Sequence, residues 1–170
     1  MHTCRSDGRQ EPAIVCANYR KHGYDFFAIT DHERYYPSLE AINAYKDVPI
    51  EFNICVGEEV HMPRDNPEFG CDPHIVNFGG NYSVNGICDE SDQIIEAGDS
   101  KELRSYNGAE CPDVITADEY RKEVLELAKT LDIPEGVEEF TYAGMVWVFN
   151  HIKKAGGLGI FCHPYWISNV

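Results

Sequence analysis

Residues 24–32 read YDFFAITDH. Aromatic and β-branched residues dominate this run, as a buried strand requires, and it ends in an Asp-His pair able to meet a metal ion. Two further runs repeat the arrangement: FNICVGEEVH at 52–61 and GLGIFCHPY at 157–165. A shorter apolar piece, HIVNF at 74–78, reads as another strand and opens on a histidine.

Helix signals fall between these strands. Pro12 suits a first helical position and Gly23 the position just past a helix end, with Val15, Cys16 and Tyr19 on the inner stripe. Thr116 and Glu119 form a Thr-x-x-Glu capping box, after which Tyr120, Val124, Leu127 and Leu131 recur at helical spacing. Thr141 is expected to cap a last helix, with Met145, Val148, Phe149 and Ile152 turned inward and Gly156 ending it. Strands alternating with helices predict a parallel α/β fold, and 170 residues suffice for one domain, 1–170, with its own core. In such folds the active residues gather at the C-terminal ends of the strands. Residues 79–115, rich in Gly, Asn, Asp and Ser around one apolar pair at Ile94–Ile95, read as a long loop or insertion.

The net charge of −15, from 29 acidic against 14 basic residues, argues against a general nucleic-acid binder, which needs Lys and Arg to displace counterions. A small anionic substrate remains compatible if metal ions supply local positive charge. No apolar run reaches the ~18 residues of a membrane span, and the first ten residues lack a secretory apolar stretch. The expected address is the cytoplasm, with no membrane partner. The seven cysteines include no Cys-x-x-Cys pair and read as reduced thiols, not as a structural zinc site.

Several side chains can carry metal chemistry. His32 ends its strand beside Asp31, which can orient a ligand from behind. Strand alternation puts Glu59 and His61 on one face and Glu58 on the other, where it is expected to be an exposed surface charge. His74 opens one strand and His163 closes another. His2 and Asp7 can reach a common ion through a turn. His22, at a helix end, and His151, inside a helix, read as hydrogen-bonded polar groups. Arg5, Arg34 and Arg64 each flank one of these motifs and are candidates for binding substrate.

Taken in order, His2-Thr3, Ser6-Asp7-Gly8, Thr30-Asp31-His32, Gly57-Glu58-Glu59, His74 and His163-Pro164 resemble the motif series of the PHP family, named for polymerase and histidinol phosphatase. The resemblance implies a partial (β/α) barrel of the family's seven-stranded, TIM-like type, and a site for up to three divalent metals. It implies His2, Asp7, His32, Glu59, His74 and His163 as metal ligands, with Glu59 bridging. Asp31 and His61 match no ligand position. The family's opening His-x-His lacks its first His here and its closing Asp-x-His has no counterpart, so the chain is expected to be a part of such a domain.

The expected function is metal-dependent hydrolysis of a phosphate ester by metal-activated water, with zinc, manganese or iron as the cofactor. The acidic surface favours a phosphomonoester, a nucleotide or a short oligonucleotide. Two alternatives stay open: a PHP-like domain that binds metal without turnover, and a metal-dependent hydrolase of another bond such as an amide. Open apolar strand edges would favour self-association.

Overall fold

The run at 52–61 forms two strands, not one. The computed structural model describes residues 1–49, 52–61, 73–88 and 104–163. Strand β1 (Phe26–Ala28) pairs in parallel with β2 (Asn53–Cys55). After Val56 the chain enters β3 (Gly57–His61), which joins β4 (His74–Phe78) and β5 (Leu158–Phe161) in a three-stranded sheet of order β3-β4-β5. The two sheets are stitched together by a parallel bridge between His32 and Glu59. There Glu59 N donates to Asp31 O, and Glu33 N to Glu59 O, each at 2.9 Å.

The all-parallel expectation fails in the second sheet. Both β3–β4 and β4–β5 are antiparallel, with His61 directly opposite His74. A parallel neighbour needs a crossover that carries the chain back to its starting end, whereas an antiparallel return needs only a connection at one end. The consequence for the site is direct. His61 ends one strand and His74 begins the next, so both stand at the same end of the sheet. The described strands make two small sheets and no closed barrel.

Helix α1 (Pro12–Lys21) starts on Pro12 and is followed by Gly23 at φ +86, as the sequence indicates. Helix α2 (Tyr36–Tyr45), which carried no clear signal, begins one residue before Pro37. These helices cover the β1–β2 side, where Val15, Cys16, Phe27, Ile29 and Ala41 form one core. Beyond α3 (Asn85–Cys88) come α4 (Ala117–Ala128) and α5 (Glu139–Lys154). They pack a second core over β3 and β4 that includes Val60, Ile75, Val84, Val124, Trp147 and Val148. Each fully buried aliphatic side chain there contributes roughly 1.5–3 kcal/mol.

The Thr116–Glu119 capping box forms in both directions. The cap of α5 falls three residues earlier than expected. Glu138 accepts from Phe140 N at 3.0 Å and Thr141 N at 2.6 Å, which places Thr141 inside the first turn. A carboxylate at a helix start also suits its positive end. Met145 and Phe149 are only partly buried, while Trp147, absent from the expected stripe, enters the core.

Within 79–115, residues on both flanks are built into the fold. Tyr82, Val84 and Ile87 are buried, and Ser83 N, Tyr106 N and Ile115 N each donate at 2.8 Å to Arg104 O, Asn81 O and Ile87 O respectively. Residues 89–103, with Ile94–Ile95, lie outside the described residues. Among the described residues no helix is long and apolar enough to cross a membrane.

Candidate metal centre

Glu59 stands in the middle of β3 with its side chain 3% exposed. Its two oxygens meet imidazoles from different parts of the chain. His2 Nε2 lies 2.9 Å from Oε2, and His74 Nδ1 lies 2.7 Å from Oε1. His32 Nδ1 is 3.5 Å and His163 Nε2 3.6 Å from the same Oε1. Asp7 completes the outer side, 2.7 Å from His2 Nδ1 and 3.6 Å from His32 Nε2.

Five of the seven histidines therefore converge here. The ring of His32 is 4.1 Å from that of His2 and 4.7 Å from that of His61. His61 stacks on His74 at 3.9 Å. Two groups of donor atoms are close enough to share an ion: His32, Glu59, His61 and His74 in one, and His2, Asp7 and His32 in the other, all within 4.8 Å inside each group. Ligand atoms on an ion with bonds of ~2.0–2.2 Å lie roughly 3 Å apart, so nitrogen and carboxylate donors at these separations fit a divalent metal. His163, at φ 50, stands at the margin and belongs to neither group.

The electrostatics follow from the crowding. Burial alone would raise the Glu59 carboxyl, but hydrogen bonds and charge from His2, His32 and His74 outweigh it and bring it down to about 2. The hydrogen bond to Glu59 raises His2 above the ordinary imidazole range. Burial lowers His32. Burial opposes ionisation of Asp7, yet His2 and His32 lower its carboxyl on balance. Such a cluster of like rings around one carboxylate has the donor chemistry of a cation site.

Asp31 anchors the N-terminal segment. It is fully buried and accepts from Thr3 N at 2.7 Å, Thr3 Oγ1 at 2.9 Å and Ser6 Oγ at 2.6 Å. Met1 O also accepts from Thr30 N at 2.8 Å. These bonds fasten residues 1–6 beside the segment after β1 that carries His32, and so hold His2 and Asp7 over Glu59. Gly8 closes the turn, where a Cβ would come within 2.5 Å of His2 O.

Glu58 overturns an expectation. It faces away from the histidines, as strand alternation requires, but it is not a surface charge: it is fully buried. Ser83 Oγ donates to it at 2.7 Å, Asn77 Nδ2 at 3.1 Å, and Val84 N completes the set. Burial raises its carboxyl, against the pull of those donors. The face of β3 turned from the histidines meets β4 and the residues just after it, not solvent.

Arg5 turns elsewhere. Its guanidinium makes a two-pronged contact with Glu40, at 2.6 and 3.0 Å, and meets Glu11 at 2.7 Å. Arg34 Nη1 donates to Tyr36 OH at 3.4 Å. Arg64 and Pro164 lie outside the described residues. His22 Nδ1 lies 2.6 Å from Asn18 O, and the His151 ring lies 3.9 Å from that of Trp147, so neither joins the cluster. His61 is the member that motif matching passed over. Its parity with Glu59 was the available signal.

No family model matches the chain. No curated protein matches it either. Among solved structures it is similar to a proposed metal-dependent phosphoesterase of Bifidobacterium adolescentis, with a TM-score of 0.40 and 24% identity over 49% of this chain. The matched stretch is about a quarter of that neighbour's length, 27%.

Proposed function

We propose that the chain is part of a divalent-metal-dependent phosphoesterase of the PHP type, acting on a phosphomonoester, a nucleotide or a short oligonucleotide. One observation carries the reading: both oxygens of the buried Glu59 are met by imidazoles from separate segments, Oε2 by His2 and Oε1 by His74. A carboxylate so placed can serve two cations at once, and few structural roles call for five imidazoles around it. The motif order in the sequence supports the same reading, and with it the partial barrel and the ligands His2, Asp7, His32, Glu59, His74 and His163.

The chemistry a divalent ion supplies at such a donor set is ionisation of bound water near neutral pH and neutralisation of phosphoryl oxygens. The chain's own residues prepare for it. Glu59 turns one oxygen to His74 and the other to His2. Asp31 keeps His2 and Asp7 in register with it. Arg5 is paired to Glu40 and Glu11, and bound metal would supply the positive charge an anion needs. Zinc, manganese and iron all accept this mixture of imidazole and carboxylate.

Elemental analysis of the purified chain tests the first half, with one or more equivalents of zinc, manganese or iron expected. A panel of p-nitrophenyl phosphate, nucleoside monophosphates and short oligonucleotides, assayed with each metal, tests the second. Absence of bound metal after loading would remove the proposal's basis.

A further inference from the structure

We infer that His61 is an additional metal ligand of this centre, oriented by Glu33, and that it biases the ion beside Glu59 towards zinc-like cations over manganese or magnesium. The inference rests on the reading of the cluster as a metal centre. His61 Nε2 lies 2.6 Å from His32 Nδ1. The His61 ring stacks on that of His74, whose Nδ1 contacts Glu59. The closest donor group is thus three imidazoles and one carboxylate, where the motif-matched residues alone would give two and one. Imidazole suits zinc, iron and nickel, whereas magnesium and manganese favour oxygen. Each added ring nitrogen shifts the balance the same way.

The fold fixes the backbone of His61 and places a carboxylate near its ring. His61 N donates to Asn85 Oδ1 at 3.2 Å, and Asn85 Nδ2 donates to Glu59 O at 3.4 Å, so one buried amide spans both strand residues. Asn85 follows Ser83 and Val84, which are fastened to the buried Glu58. On the open side, Glu33 Oε1 lies 3.6 Å from His61 Nδ1. Glu33 sits at φ 56, a left-handed conformation that costs a non-glycine residue energy and that recurs at functional sites. Closing that gap to hydrogen-bond length on metal binding would fix the tautomer and leave Nε2 for the metal, the arrangement of carboxylate–histidine–metal sets. Nε2 is the atom that faces His32.

The test is competitive titration of the metal-free full chain with Zn²⁺ and Mn²⁺ against a chromophoric chelator. His61→Asn is expected to weaken Zn²⁺ by more than ~100-fold and Mn²⁺ by less than ~5-fold, since the lost donor is the nitrogen zinc favours. Glu33→Gln should weaken Zn²⁺ by about 10-fold, as removal of an outer partner does. His32→Ala and Glu59→Gln are the controls. If they weaken zinc while His61→Asn leaves it unchanged, the inference is overturned and the metal centre stands. If all four leave zinc unchanged, the reading of the centre itself fails. Should His61→Asn unfold the chain by circular dichroism, anomalous scattering at the zinc edge from crystals of the zinc-loaded native chain decides. A zinc within bonding distance of His61 Nε2, ~2.0–2.1 Å, supports the inference, and a zinc ligated beside Glu59 without His61 overturns it.

Discussion

Glu58 and Glu59 are adjacent residues of one strand, chemically identical, and nearly equal in burial. One face of β3 surrounds its carboxylate with imidazoles and brings it down to about 2. The other face encloses its carboxylate among Ser83, Asn77 and Val84, and burial pushes it up. The surroundings, which come from distant segments, decide what each side chain can do. Glu59 is placed to attract cations. Glu58 is placed to hold the turn that leads into α3.

That contrast is easiest to break at Glu58. Glu58→Ala would leave Ser83 Oγ, Asn77 Nδ2 and Val84 N buried near an empty space. A loss of about 3 kcal/mol is expected, measured by urea unfolding of the metal-free chain. An unchanged midpoint would mean that the face is not a sealed network.

Next in size is the effect on metal. Glu59→Gln should lower metal affinity by at least the ~10–100-fold that loss of a mere outer partner costs. Glu58→Gln should keep the native metal stoichiometry, with circular dichroism confirming the fold of both. Equal metal loss in the two variants would show that the faces of β3 are not distinct in function.

A third test extends the comparison to imidazoles. His2 is raised by its hydrogen bond to Glu59. His151, across the second core on α5, is brought down to about 4 by burial, with Lys154 adding to the fall and Glu123 opposing it. A folded value below the ordinary 6.5 means that His151 is neutral when folded and that unfolding favours its protonation. Its contribution to stability is complete above pH 6.5 and is lost as pH falls towards 4. Urea midpoints across this window should therefore fall more steeply for the native chain than for His151→Phe, which keeps an aromatic ring on Trp147. Parallel slopes would show that His151 is not the source of the loss of stability in acid.

The smallest effect is expected at Arg5. Its partners Glu40 and Glu11 are substantially exposed, so Arg5→Ala should cost under about 1 kcal/mol. On the proposed phosphoesterase reading, kcat/KM should stay within roughly threefold. A collapse of kcat/KM with unchanged stability would return Arg5 to the substrate-binding role its position in the sequence suggests.

The parts of this protein readable from sequence are those governed by near neighbours. The Thr116–Glu119 box, the Pro12 start of α1 and the alternation of Glu58 with Glu59 depend on contacts within a few residues, and each formed as the pattern requires. The start of α5 differs from the expectation because Glu138 and Thr141 can each cap a helix start, at successive turns, and spacing alone does not rank them. Alternation likewise separated two faces of β3 but could not say what lay against either.

Strand direction and the membership of the site were decided at longer range. Whether β4 runs with or against β3 depends on how the chain returns, and that places His61 across from His74. Glu58 became buried because Ser83 and Val84, about 25 residues later in the chain, fold over it. Arg5 was drawn to Glu40, 35 residues away, rather than to the motif beside it. The residue types and their local faces are written in the sequence by itself. Which groups meet is set by the packing of one core on β1 and β2 and another on β3 and β4, because packing and hydrogen-bond satisfaction of buried groups act between segments far apart in the chain.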